Sequence, residues 1–172
     1  SDCIEQSAEH YVRKKNLKKG KNVIIIETAK KYVERVIDID IKEIEMGNTI
    51  KIVSLEKEFD EEIGNGKIKY KIKGKIDRVD KINGEIRVID YKSGKKLYSR
   101  NLVLKNEMEL GNEESIYNLQ LIFYMIGIFK KMQPKIIRSG IISLKNTKEG
   151  VLQGNFEGQT RINNEKIKIY EK

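Results

Sequence analysis

The sequence predicts an α/β protein of the α+β type, with a mixed sheet flanked by helices. Three observations predict it: apolar residues at helical spacing before residue 47, apolar alternation of period two between residues 49 and 92, and a second apolar helical stretch followed by one more apolar run. The predicted core order is α-β-β-β-α-β, a layered fold. The 172 residues suit one domain over residues 1–172, and the abrupt beginning suggests a fragment of a longer protein.

Two helices are predicted before the first strand. Residues 1–19 favour a short helix that ends at Gly20. A second helix is predicted from Glu27 to Met46, because apolar residues recur at helical spacing and Gly47 supplies a stop. An alternation of isoleucines inside this second segment is also compatible with a strand.

Three consecutive strands are predicted next. The first runs from Thr49 into Phe59, and the second alternates apolar residues with lysines. Its lysine face is interpreted as solvated, with contact to phosphates as the alternative. Asn83-Gly84 favours a hairpin turn, after which Glu85–Lys92 forms the third strand.

A polar loop is predicted after Gly94. Residues 113–131 then favour a helix that is apolar around much of its circumference and should pack on the sheet. Residues 135–144 are predicted as a fourth strand after the break at Pro134. The polar tail from Gly150 carries a possible last strand at residues 166–170.

Charge and cysteine content limit the partners. Lys and Arg total 35 against 26 Asp and Glu, so the net charge is 35 − 26 = +9, which favours a polyanionic partner such as DNA. A lysine-rich composition that serves only solubility is an equal alternative. Cys3 is the only cysteine, which excludes an iron–sulfur cluster held by four cysteines and favours a reducing cytoplasm. The longest apolar run, residues 119–129, is too short for a membrane span.

Charged residues end an apolar face of the third strand. Ile86, Val88, Asp90 and Lys92 alternate onto one face, so the two charges lie at the edge of the core, where they need partners. Asp77 lies near the end of the preceding strand, and the hairpin places the two strands side by side without fixing their register. Two adjacent carboxylates repel each other, and a hard divalent cation relieves that repulsion. The pattern therefore predicts a metal site.

Three segments carry a family resemblance. They are Gly74–Asp80 (GKIDRVD), Val88–Gly94 (VIDYKSG) and Gln120–Tyr124 (QLIFY). They resemble, in the family's order, the G-x-x-D-R-x-D, D-Y-K-[ST]-G and Q-x-x-x-Y motifs of RecB-like and AddB-like PD-(D/E)XK nucleases. The surrounding predicted elements are similar to the restriction-endonuclease-like core of that superfamily.

The resemblance implies a metal-dependent DNA nuclease, with exonuclease activity favoured, that acts in DNA repair or recombination. Asp77 and Asp90 would bind Mg²⁺ or Mn²⁺, and the backbone carbonyl of Tyr91 would complete the coordination. Lys92 would position the attacking water or stabilise charge on the phosphorane. A helicase subunit or domain is the implied protein partner.

Four further residues receive roles from the resemblance. Gln120 and Tyr124, four residues apart on one helical face, would line the site and orient Lys92 or the DNA. His10, the only histidine, lies where the family often places a metal ligand, although the glycine of that motif is replaced here and a solvated histidine is equally open. Glu58 lies near the predicted end of the first strand, where relatives often carry an acidic ligand.

Structural interpretations compete with these roles. Asp90 and Lys92 could form a surface ion pair, and Gln120 could be a polar break in a core helix. Arg78 and Asp80 are interpreted as structural, pairing with each other or with neighbouring charges. The functional alternative is a catalytically inactive DNA-binding or scaffold module of the same fold.

Overall fold

The computed structural model describes residues 2–9, 19–64 and 68–171, which fall into two compact units, Ser1–Lys42 and Glu43–Lys172. The predicted first helix is seen as α1 (Asp2–Glu9). Residues 10–18 of that prediction, including His10, lie outside the described residues. No helix among the described residues is both long enough and apolar enough to cross a membrane.

The second helix, α2 (Lys21–Glu45), begins six residues before the predicted start at Glu27. It follows Gly20, whose φ of 58° lies in the left-handed region and separates the helix from the preceding chain. The β-branched run at residues 23–26 is accommodated, because each such residue costs a helix at most about 0.7 kcal/mol relative to alanine. Within the alternating isoleucines Ile39 is buried while Ile37 and Ile41 are exposed, as a helix allows.

A mixed six-stranded sheet confirms the predicted fold class. The strands of the sheet are β1 (Ile50–Gly64), β2 (Lys69–Ile82), β3 (Glu85–Lys92), β5 (Ile136–Ser143), β6 (Leu152–Gln153) and β8 (Ile162–Asn163). Their order is β1-β2-β3-β5-β6, and β8 also pairs with β5. The β1–β2 and β2–β3 pairs are antiparallel, whereas β3 and β5 are parallel.

The predicted hairpin joins β2 and β3. Asn83 and Gly84 have φ angles of 50° and 83°, the positive pair that a two-residue type I′ turn requires. The β2–β3 ladder runs only from Ile82↔Glu85 to Arg78↔Ile89, while the β1–β2 ladder continues to Gly64↔Lys69. The far part of β1 and β2 is therefore a two-stranded ribbon, and β1 extends five residues past its predicted end at Phe59.

Helix α3 (Ile116–Met132) packs against the sheet, as predicted for residues 113–131. Residues 113–115 form a 3-10 turn instead of the first helical turn. The helix ends where Gln133 adopts a left-handed conformation (φ 45°) directly before Pro134. Apolar side chains of α3 and of strands β1, β2, β3 and β5 form the core; they include Phe59, Ile76, Val79, Val88, Leu121, Met125, Ile126, Ile137 and Ile141.

The predicted last strand at residues 166–170 is wrong, because these residues belong to helix α4 (Asn164–Tyr170). The side chain of Asn163 caps this helix by accepting a hydrogen bond from the backbone N–H of Lys166 at 3.0 Å. Ile167 is fully buried while Ile169 is exposed, so only one of the two alternating isoleucines serves the core.

The segment after Gly94 is more ordered than the predicted polar loop. It contains strand β4 (Val103–Leu104), which pairs in parallel with β7 (Asn155–Phe156). Leu97, Leu102 and Leu104 are buried. These leucines fix a segment whose other residues are largely polar.

Candidate active site

Asp77 and Asp90 lie where β2 and β3 separate. The last paired residues of the ladder are Arg78 and Ile89, so the two aspartates occupy the next positions on the two strands. The pairing of β1 with β2 shifts register between Ile52 and Ser54, opposite Asp80 and Val79. The register shift therefore lies close to Asp77 along β2.

Asp90 is buried, and its two carboxylate oxygens have different surroundings. The side chain is only 4% exposed, at the end of the apolar face that begins with Ile86 and Val88. Its Oδ1 accepts hydrogen bonds from Gln120 Nε2 at 2.9 Å and from the Tyr124 hydroxyl at 3.2 Å. Its Oδ2 lies 2.9 Å from Lys92 Nζ but receives no well-directed hydrogen bond from any described residue.

Gln120 connects the charged groups. Its Oε1 accepts a hydrogen bond from Lys92 Nζ at 2.8 Å, while its Nε2 donates to Asp90 and to the Tyr124 hydroxyl at 2.7 Å. The Lys92 ammonium also lies 5.8 Å from the centroid of the Tyr117 ring, within cation–π range. Gln120 and Tyr124 lie four residues apart on one face of α3. From this face they hold the ammonium of Lys92 beside the carboxylate of Asp90.

Asp77 is half-buried and accepts a hydrogen bond from the backbone N–H of Tyr91 at 2.8 Å. Burial raises the pKa of Asp77 above its ordinary value; the Tyr91 N–H opposes this rise, and the negative charge of Asp90 adds to it. Burial also raises the pKa of Tyr124 to about 12. The phenol therefore stays protonated at neutral pH and can donate its hydrogen bond to Asp90.

The acidic residue opposite Asp77 on β1 is Glu56, whereas Glu58 faces Lys75. Glu56 has a φ of 52° and its negative charge contributes to the raised pKa of Asp77. It forms an ion pair with Lys75. Sequence reasoning selected Glu58 because it expected β1 to end at Phe59, whereas only the strand register identifies Glu56.

The described part of the chain contains no group of three or more His, Cys, Asp or Glu residues placed to hold a metal ion. Asp77 and Asp90 nevertheless fit a hard cation. Two repelling carboxylates meet there, and the buried Oδ2 of Asp90 lacks a directed hydrogen bond. Mg²⁺ commonly binds through one or two carboxylates and fills its remaining positions with water and substrate phosphate.

Arg78 and Asp80, interpreted from sequence as structural, form a buried ion pair of 2.6 Å. Arg87 is a third member that the sequence did not identify: its Nε and Nη2 each donate to Asp80 at 2.9 Å. All three side chains are at most 5% exposed. The carboxylate of Asp80 thus neutralises buried guanidinium groups. It has a structural role and is not counted among the candidate metal ligands.

Comparisons with known proteins give a similar solved structure and a matching family model. The crystal structure of SSO0001 is similar over 76% of this chain and 49% of its own, at 17% identity and a TM-score of 0.34. This chain thus spans about half the length of that protein. No curated protein matches the chain. The family model of the PD-(D/E)XK nuclease superfamily matches residues 2–168, nearly the whole sequence, and the chain therefore belongs to the PD-(D/E)XK nuclease superfamily.

Proposed function

We propose that this chain is a metal-dependent deoxyribonuclease that hydrolyses phosphodiester bonds, with exonuclease activity as the favoured mode. The observation that carries the proposal is the network in which Gln120 joins the Lys92 ammonium to the buried Asp90 carboxylate beside Asp77. An ammonium fixed next to two carboxylates at the open end of two strands suits phosphodiester hydrolysis. Membership in a nuclease superfamily supports hydrolytic activity.

The proposed roles follow from the contacts. Lys92 Nζ would orient the attacking water and stabilise the negative charge that develops on the phosphate in the transition state. Gln120 and Tyr124 would act as positioning residues, because their hydrogen bonds fix Lys92 and Asp90. The low exposure of Asp90 strengthens these electrostatic interactions relative to the same interactions in water.

Asp77 and Asp90 would hold the cation, which we propose to be Mg²⁺ or Mn²⁺, because hard oxygen ligands without cysteine favour these ions over Zn²⁺. When bound, the cation would supply Lewis-acid stabilisation of the phosphate and acidify a bound water. The backbone carbonyl of Tyr91 remains the proposed third protein ligand, and His10 and Glu58 remain predicted ligands.

The biological context extends the same proposal. The three motifs resemble those of RecB-like nucleases, so we propose that the chain is the nuclease module of a longer helicase–nuclease or recombinational repair protein. The exposed lone Cys3 fits a reducing compartment, and the cytoplasm is the proposed location.

A second candidate is a catalytically inactive DNA-binding module. Two observations favour it: Asp90 is already neutralised by Lys92 at 2.9 Å, and the described residues contain no group of three or more His, Cys, Asp or Glu placed to hold a metal ion. In that case the Asp90–Lys92 pair would stabilise the fold, and the site would not bind a cation.

The test is cleavage of linear and circular DNA, single- and double-stranded, with Mg²⁺, Mn²⁺ or EDTA. We expect metal-dependent cutting of linear DNA that Asp77→Asn and Asp90→Asn each abolish while DNA binding stays intact or becomes stronger, since each change removes a negative charge. Thermal melts control for folding. If wild type and both variants bind DNA equally and none cuts it with any divalent metal, the nuclease proposal is wrong and the inactive binder takes its place.

A further inference from the structure

A basic cleft of about 690 Å³ adjoins the candidate active site. The segment after β3 and the beginning of α3 line it, and four of its lining residues are cationic: Lys95, Lys96, Arg100 and Lys105. Tyr117 also lines the cleft, and its ring lies 5.8 Å from the Lys92 ammonium. Tyr117 therefore connects the cleft with the proposed catalytic lysine.

The four cations are exposed, and within residues 19–64 and 68–171 none of them forms an ion pair with a carboxylate. Two carboxylates also line the cleft, which leaves an excess of 4 − 2 = +2; they are Glu109 and Glu113. Glu109 is engaged by the backbone N–H of Lys105 at 2.9 Å. Glu149 lies within electrostatic reach of Arg100 and compensates its charge in part, so the cleft presents a reduced excess of positive charge to a ligand.

The lysine face of β2 offers an internal contrast. Lys69 lies 3.4 Å from Glu62, while Lys71 and Lys73 lie 3.2 Å and 2.9 Å from the two oxygens of Asp60. Lysines that already face carboxylates attract a polyanion less, because binding would release fewer condensed counterions. The cleft cations therefore differ from the lysines of this face, because they have no carboxylate within ion-pair distance among the described residues.

The segment that carries the cations is fixed before any ligand arrives. The Ser143 hydroxyl accepts a hydrogen bond from the backbone N–H of Leu97 and donates to the carbonyl of Lys95, at 3.1 Å and 3.2 Å. Asn146 donates to the Leu97 carbonyl at 2.7 Å. Lys96 and Arg100 both lie on the Tyr98 ring, 5.3 Å and 5.0 Å from its centroid. Such preorganisation reduces the entropy lost on binding.

Apolar side chains lie among the cations. Ile116 is 61% exposed and Val103 is 41% exposed, and both line the cleft. Ile116 also borders a second, largely apolar groove that is lined by Gln120 and Tyr124. A duplex presents mainly phosphates to a protein surface, whereas a single strand also offers the faces of its bases. Mixed basic and apolar lining therefore favours a single strand.

We propose that this cleft binds single-stranded DNA, with its cations on the phosphates and Ile116 and Val103 against the bases, and leads the strand to Lys92. This inference rests on the proposed nuclease function and names its substrate form. Nothing in the motif resemblance selects these residues, since they lie between the second and third motifs.

The test measures binding by fluorescence anisotropy in EDTA, so that cleavage cannot interfere, using labelled oligothymidylate over a series of salt concentrations. The triple variant Lys96→Gln, Arg100→Gln, Lys105→Gln is compared with Lys69→Gln, Lys71→Gln, Lys73→Gln, which removes the same charge from paired lysines. At about 0.7 per phosphate contact, the cleft variant should lower the slope of log K against log salt by about 2. Its affinity at about 0.15 M salt should fall about 50-fold, while the control changes little.

Two further variants separate binding from folding. The pair Lys95→Gln, Lys105→Gln leaves the contacts of Tyr98 in place and should lower the slope by about 1.4. Ile116→Ser should weaken binding of the single strand without changing the slope, because it removes an apolar contact.

Equal slopes for the cleft and control variants would overturn the cleft assignment. A duplex that binds as tightly as the single strand, with the same losses in the variants, would overturn the single-strand assignment. If the variants showed the expected binding pattern but the wild type cut no DNA with any divalent metal, only the nuclease proposal would be wrong.

Discussion

The two aspartates of the second strand, Asp77 and Asp80, should respond oppositely to the same substitution. Asp80 is fully buried and receives Arg78 Nη2 at 2.6 Å and two donors of Arg87 at 2.9 Å. Asp80→Asn keeps the shape of the side chain but removes the charge that compensates these guanidinium groups. Among described residues, Asp80 is the only carboxylate that pairs with Arg87.

The expected cost follows from the burial of all three groups. Removing one partner of a buried ion pair destabilises a protein by about 3–5 kcal/mol, because the remaining charge stays desolvated. A domain of this size loses about 2–4 °C of Tm per kcal/mol, so the Tm of Asp80→Asn should fall by about 6–20 °C.

Thermal melts in EDTA test this expectation, with Asp77→Asn as the matched control. Asp77→Asn should melt at or above the wild-type temperature, because burial and the charge of Asp90 already disfavour its ionised form. A shift below about 2 °C for Asp80→Asn would show that the buried Arg78–Asp80–Arg87 group contributes little to stability and would refute the reasoning.

Three further predictions concern the site. Lys92→Ala should lower kcat by about 10²–10³-fold with little change in DNA affinity, since its ammonium acts on the transition state; single-turnover cleavage with a parallel binding assay checks both. Mn²⁺ at about 100 times its Kd should stabilise the wild type by about 2.7 kcal/mol, and Asp90→Asn should lose this stabilisation in thermal melts. In EDTA, Asp77→Asn should gain stability over the wild type as the pH rises from 4 to 7, which melts at several pH values will test. The pKa of Asp77 is raised in the folded protein, so its protonated carboxyl contributes to the free energy of unfolding of the wild type. This contribution is fully present below the unfolded pKa of about 3.8 and is lost as the pH rises through the folded pKa.

The parts of the site that the sequence predicted depend on local rules. Asn83-Gly84 fixes a two-residue turn, so strands that contain Asp77 and Asp90 had to lie side by side. The spacing of Gln120 and Tyr124 places both on one helical face. These rules act over a few residues, so the sequence alone predicts the hairpin and the shared helical face.

The parts that the sequence did not predict depend on register and on tertiary burial. The pairing of β1 with β2 shifts by one residue between Ile52 and Ser54, and this shift places Glu56 rather than Leu55 opposite Asp77. A bulge of this kind changes which residues face each other, and the alternation within one strand does not identify its cross-strand partners. The alternation of Ile167 and Ile169 favoured a strand. The segment instead forms helix α4, which Asn163 caps and which buries Ile167 but not Ile169.

Net charge alone left solubility and DNA binding equally open, and the arrangement of the charges is the basis of the proposed binding cleft. Cations of the β2 ribbon face carboxylates of β1, so their contribution to the external field is largely cancelled at short range. The cations after β3 lie in a segment that the sequence predicts to be a polar loop. Its buried leucines nevertheless pack it against the core. A fixed cluster with excess positive charge attracts phosphates more strongly than a neutralised stripe with the same number of lysines, so the position of a lysine decides its function more than the total does.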